Sequence, residues 1–416
     1  MNNKSRIALA IAAAFGTAAL GVSSGASAQT STVQIGGSIS LKYALHRNTG
    51  GLASGSKNSS NDNLSLNEPE IWIHGEEKIG SNLTAWFRCS SSFDVLGAGG
   101  GTQATPAGVA AAPATSQWCG RNSALGFKGG FGNVYFGNWD MPSKNVYNAF
   151  RGWFSGTDSL VGGFANVLLN TSSSNTTNVT ATQASFVERR QRLIRYDSPS
   201  FSGFSVSAGY TAANESTGLS SAASQGLTPR ALSLSGEYKN GPLYLGIGYD
   251  RHNDHNPGAG GTVAIGTGAL QYNGGSDTNW MFGAGYTFGF GMKLTGLITR
   301  SKYDVTNTTD LKKNGYAVAM DYAVSGPHSI KAMYFAAGDS KGTSATAVGA
   351  HQAVGPSTGA KGWNLGYMYA MSKRTQIGVM YSVIDNDTNA KYGKGIQSAT
   401  LGQTQKVYGM NVRHSF

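Results

Sequence analysis

Sixteen stretches of this 416-residue chain alternate apolar with small or polar residues, and the connections between them alternate in length. A period of two belongs to an extended strand, whose successive side chains point to opposite faces. The stretches begin with Thr32–Tyr43 and end with Gln405–Phe416. Many are close to the ~9–11 residues that a tilted strand needs to cross an outer membrane. One face is repeatedly apolar, as in Leu243, Leu245, Ile247 and Tyr249, or Trp363, Leu365, Tyr367 and Tyr369. The opposite face is small or polar, as in Gly246, Gly248 and Asp250. Turns of a few residues, such as Gly80–Asn82, Gly289–Gly291 and Lys373–Arg374, take turns with long polar connections. The long ones include Asn48–Asn67, Asp94–Cys119, Asp140–Glu188 and Gly338–Lys361. A soluble sandwich has no reason to alternate so regularly. A membrane barrel does, because short turns gather on one rim and long loops on the other.

The two ends agree with this picture. Phe416 closes a stretch in which Tyr408, Met410 and Val412 share its face, while Gly409, Asn411, Arg413 and Ser415 share the other. A last strand that pairs with the first leaves no open edge. At the other end, Lys4 and Arg6 precede an apolar run, Ile7 to Leu20, and Ala26-Ser27-Ala28 forms a small-residue cleavage site. The run is too short to anchor in a bilayer, so residues 1–28 read as a cleaved secretory signal. Its loss takes the formal charge from +11 to +9. Nothing after it resembles a membrane-spanning helix, and mean hydropathy is only −0.23. A barrel reconciles that low average with 19 Tyr, 17 Phe and 7 Trp, because alternate residues face lipid and a wet interior. The expected fold is all-β, one domain over residues 29–416. It is a 16-stranded antiparallel transmembrane β-barrel with short periplasmic turns and long extracellular loops.

Three segments carry a family resemblance: Gly129–Trp139 (GGFGNVYFGNW) running into Asp140-Met141-Pro142-Ser143-Lys144, Ile194–Tyr210 (IRYDSPSFSGFSVSAGY), and the terminal Arg413-His414-Ser415-Phe416. Together and in this order the chain resembles the Gram-negative general porins of the β-proteobacterial type over essentially all of the mature sequence. Gln34-Ile35-Gly36-Gly37 replaces the usual opening, and Asp94–Cys119 is longer and richer in Ala and Gly. The resemblance implies a homotrimer of water-filled pores in the outer membrane, each narrowed by an inward-folded third loop. It also implies that Phe416 belongs to a signal for the barrel-assembly machinery.

The implied mechanism is passive diffusion of small hydrophilic solutes and ions. A loop across the lumen sets a size limit, and fixed charges in a low-dielectric wall bias which ions enter. Asp140–Glu188, 49 residues long, is the loop candidate. Its first half holds Phe150, Trp153, Phe154, Leu160, Val161 and Phe164, which suit packing against an inner wall. The alternative is a cover over the outer rim or a neighbouring subunit. Asp140, Asp158 and Glu188 in that loop face Lys144 and Arg151, so it is not strongly acidic. Arg189, Arg190, Arg192 and Arg195 follow within seven residues. Inward parity is assigned to Arg189, Arg195 and Asp197, leaving Arg190 and Arg192 at the extracellular rim or after a bulge. Arg88 fits the lumen as well, since a charge on the lipid face at the midplane costs about 2–4 kcal/mol. Each Arg alone is equally well read as a rim salt bridge or a lipopolysaccharide contact. As a set they favour anions weakly.

Cys89 and Cys119 flank the second long connection, and an even pair in an oxidising compartment suggests a disulfide. Two free thiols are the alternative. Gly338-Asp339-Ser340-Lys341-Gly342 spells G-x-S-x-G but lacks the strand-to-helix context of a nucleophile elbow. Asp385-Asn386-Asp387 opens like a calcium loop, yet Ala390 stands where Gly is required. No catalytic residues, metal or cofactor are expected, and no basic cluster with interleaved aromatics points to nucleic acid. Lipopolysaccharide is the simpler polyanionic partner. The competing readings are a substrate-specific porin for a sugar or organic anion, marked by a line of aromatics in the lumen, and an outer-membrane barrel enzyme.

Overall fold

The computed structural model describes residues 32–51, 58–96, 118–151, 164–165, 167–169, 185–211, 230–253, 275–306, 308–393 and 400–416; residues 1–28, expected to be a secretory signal, lie outside them. The strands are β1 (Thr32–Gly50), β2 (Asn58–Leu66 and Glu70–Gly80), β3 (Leu83–Ser91), β4 (Ser123–Gly129) and β5 (Gly132–Asp140). They continue with β6 (Arg189–Asp197), β7 (Phe204–Thr211), β8 (Arg230–Asn240), β9 (Leu243–Asn253), β10 (Ser276–Thr287) and β11 (Met292–Asp304). The series ends with β12 (Asp310–Ser325), β13 (His328–Ala337), β14 (Ala360–Ala370), β15 (Thr375–Asn386) and β16 (Gln403–Ser415). Each pairs antiparallel with the next, and Lys341–Gly342 extends the β13 side of the ladder against Leu311 and Lys312. β16 pairs with β1 from Ser38↔Ser415 to Gly50↔Gln403, so sixteen strands close on themselves. Phe416 adds the last two links: its N–H donates to Gly37 at 3.0 Å and its carbonyl accepts from Gly37 at 3.1 Å.

Side chains are sorted in reverse of a soluble domain. Val33 and Ile35 are 66% and 67% exposed, and Phe282, Ile298, Val318, Tyr334, Leu365 and Met410 are exposed as well. Polar neighbours one residue away point inward and are buried, including Asn279, Thr299, Asn364 and Asn411. Water would penalise such an exterior, and hydrocarbon matches it. The short turns place residues in the left-handed region, as at Gly203 and Gly291, both with φ 87°, where a side chain would be strained.

One departure from the expected elements lies in the first long connection. Asn58–Leu66 is strand, pairing with Leu41–Thr49 and lengthening the first hairpin. β2 bends after it, with Glu68 at φ 49° followed by Pro69, before Glu70 resumes pairing on β1. Asn58, Ser59, Ser60, Asn61, Asp62 and Asn63 carry no apolar alternation, so a hydrophobic period cannot register them.

Candidate permeation pathway

At Asp140 the chain leaves β5 and turns inward. The entry is closed at its base by the Met141 N–H, which donates to the Glu188 carbonyl at 3.1 Å. Helix α1 (Lys144–Arg151) follows, and an isolated helix of two turns is not stable in water, so packing must hold it. Val146, Tyr147 and Phe150 share one face at helical spacing, and each is at most 5% exposed. Phe164, Val167, Leu168 and Leu169 join them, with Tyr147 and Phe164 stacked at 5.7 Å. This apolar group rests on the inner wall at Met281, Leu297, Ala317, Met333 and Phe335.

The wall leaves room for it with glycine. A Cβ on Gly283 would lie 3.0 Å from Val146, one on Gly209 would lie 2.7 Å from Pro142, and one on Gly315 would lie 2.7 Å from Leu168. Polar tethers flank these contacts. Lys313 Nζ donates to the Val167 carbonyl at 2.7 Å, Thr299 to the Leu168 carbonyl at 3.2 Å, and Ser143 N–H to Ser233 at 2.9 Å. Burial, and after it the charge of Lys313, push the His351 imidazole well below its ordinary titration range.

Across the lumen, the wall of β2–β6 is aromatic and charged. Arg88, half-buried, lies 4.8 Å over Trp72 and pairs with Glu70 at 3.1 Å. Lys128 and His74 both engage Glu76, at 2.6 and 2.9 Å. Trp86, Tyr135 and Trp139 meet with centroids 5.3–5.8 Å apart, in the tilted and edge-to-face geometries that aromatic quadrupoles favour.

Arg195 joins this wall to the loop. Only 5% of its side chain is exposed. It donates to the Asp140 carbonyl at 2.6 Å, to Asn145 at 3.0 Å and to Asp197 at 2.9 Å. Asp140 gathers Lys144 at 2.9 Å and Arg189 at 3.6 Å, so these three form one cluster at the loop's base. Glu188 stands beside it, half-buried. Arg151 ends α1, and neither its side chain nor Asp158 is among the described residues.

Strict alternation misplaces part of β6. The ladder with β5 shifts register between Gly137 and Trp139, and Arg192 takes φ 54°. This bulge turns Arg190 inward and buries it, leaving Gln191 and Arg192 exposed. Arg190, not Gln191, therefore shares the inner side with Arg195. Four arginines within seven residues signalled the region, but only the register assigns each to a face.

Cys89 and Cys119 are joined in a disulfide, with Cα atoms 4.7 Å apart and a sequence separation of 30. Replacing both by serine is expected to destabilise the barrel by about 3–4 kcal/mol on the chain-entropy account, read as a lower midpoint of denaturation in detergent. A thiol assay on denatured, unreduced protein is expected to find no reactive groups; two would contradict the link.

A family model described as Gram-negative porin matches residues 8–389. Outer membrane porin protein 32 of Delftia acidovorans is 28% identical over 55% of this chain, and the match spans 57% of that relative's length. An outer membrane porin protein of Bordetella pertussis is 25% identical over 83% of this chain and 81% of its own. Among solved structures, the anion-selective porin from Comamonas acidovorans superposes with a TM-score of 0.66 at 20% identity, covering 93% of this chain and all of that one. OmpT of Vibrio cholerae gives 0.60 at 16% identity, covering 95% of this chain and 99% of its own.

Proposed function

The chain belongs to the Gram-negative porin family, and we propose that it is a general diffusion pore through which small hydrophilic solutes and ions pass passively, with a weak preference for anions. It is a multi-pass protein of the outer membrane, and its relatives are channels rather than enzymes. The observation that carries the reading is the sorting of side chains: an apolar exterior around a polar interior, with a segment of chain docked inside. Such a barrel offers solutes an aqueous route past a constriction.

Two features support anion preference and also limit it. The chain after the signal carries +9, and the porin of Comamonas acidovorans with the same fold is anion-selective. On the β2–β6 wall and at the start of α1, however, Arg88, Lys128, Arg189, Arg195 and Lys144 stand against Glu70, Glu76, Asp140 and Asp197, and most are paired. Paired charges cancel at a distance, so the field bias is small. Three copies form the working assembly in this reading, in keeping with the trimer form of Vibrio cholerae OmpT. In a planar bilayer under a potassium chloride gradient, the reversal potential is expected to have the sign of modest anion preference. The opposite sign would reject the selectivity, and electrical silence would reject the pore.

A further inference from the structure

The wall of β2–β5 carries an open cavity of about 300 Å³. Three indoles from three strands line it: Trp72, Trp86 and Trp139. Helix α1 rests on β8–β11 rather than on these rings, although Trp139 also packs against Met141 where the loop begins. Away from the apolar patch under the docked segment (Met281, Leu297, Met333 and Phe335), the inner wall carries small and polar residues, as at Thr295, Ser301 and Asn364. An aromatic group collected at one place on a wet wall, among polar side chains, is the kind of concave surface that binds a ligand.

The polar groups around the rings narrow the chemistry. Arg88 is held by Glu70 and Lys128 by Glu76, so an incoming anion would have to compete with a carboxylate already in place. Asn133 accepts from the Trp86 indole at 2.8 Å and fixes that ring. What surrounds the aromatic faces is a set of neighbouring donors and acceptors with little net charge. A ring with an apolar C–H face and hydroxyls at its edge matches that pattern. Arg88 already lies over Trp72 and Trp86 is buried, so the half-buried Trp139 is the indole left to cover the face, while carboxylate, ammonium and amide groups meet the hydroxyls.

We propose that this cavity is a saturable binding site for a neutral sugar of one or two rings. Lys128 and Asn133 pair beside the short turn at Gly129–Gly132 and Trp139 stands near the other end of β5, so the site runs along the wall from the short-turn side to the base of the loop. The proposal rests on the pore reading and adds to it a station where one solute class pauses.

The experiment is single-channel recording with sucrose, each variant's block expressed as a fraction of its own sugar-free current, together with calorimetry of the detergent-solubilised protein. Block and heat are expected to saturate at the same sucrose concentration. Trp139→Ala is expected to raise the half-blocking concentration by about threefold to tenfold, and Trp139→Phe to restore most of the affinity. A current that falls in proportion to bulk conductivity, with no heat, would overturn the site while leaving the pore. Block by benzoate but not by sucrose would overturn it in favour of an anion site. An unchanged half-blocking concentration in Trp139→Ala would also overturn it. Protein that binds sucrose but carries no current would sink the diffusion reading and uphold the site.

Discussion

Gly315→Leu is expected to release the docked part of the third long connection and give channels of larger, noisier conductance than the parent. A Cβ at this position would stand 2.5 Å from the Thr299 hydroxyl and 2.7 Å from Leu168, and leucine adds three further carbons on the same line. Neither neighbour can retreat freely, because Thr299 also bonds the Leu168 carbonyl. Overpacking of this kind costs about 1–3 kcal/mol, which shifts a docking equilibrium by roughly 5–150-fold. Combining it with Lys313→Met removes the bond to the Val167 carbonyl and is expected to enlarge the effect. Gly296→Leu is the matched control: it adds the same side chain on the lipid side, where nothing lies closer than 3.9 Å. Conductance there is expected to match the parent. If Gly315→Leu also matches the parent, the docked segment does not set the width of the pathway.

The strands were legible because lipid and water impose opposite demands on alternate residues. Leu243, Leu245 and Ile247 face out in the structure while Gly246 and Gly248 face in, as their period of two requires. Phe416 likewise takes its place in the closing ladder through backbone bonds that any residue can make, with its ring on the outside. Other features depend on register or on contacts across the lumen, and no local pattern encodes those. Gly209, Gly246, Gly283 and Gly315 read only as small inward residues until Pro142, Val146 and Leu168 are laid over them. Trp72, Trp86 and Trp139 sit on three separate strands, and nothing in their spacing says that pairing brings them to one cavity. For Arg190 the sequence left the rim and a bulge both open, and only the register shift at Arg192, which breaks the parity rule, turns it inward.

Arg195→Met is expected to weaken the base of the loop and to move ion preference toward cations. The guanidinium ties three elements at once: the end of β5 through the Asp140 carbonyl, the start of α1 through Asn145, and its own strand through Asp197. Methionine keeps much of the length and none of the donors. Removing one partner of a buried pair costs about 3–5 kcal/mol, and the lower end applies here because Asp197 is 29% exposed and keeps its bond from the Tyr135 hydroxyl. A lower temperature for loss of the folded form in detergent would report that cost. The electrical effect has a definite sign: one positive charge leaves the wall and the Asp197 carboxylate stays, so the reversal potential moves in the cation direction. Arg195→Lys separates the two effects. It retains the charge but not the planar fork that reaches three acceptors, so selectivity is expected to hold while channel noise rises. A reversal potential that Arg195→Met leaves unchanged would mean that this wall lies off the ionic path.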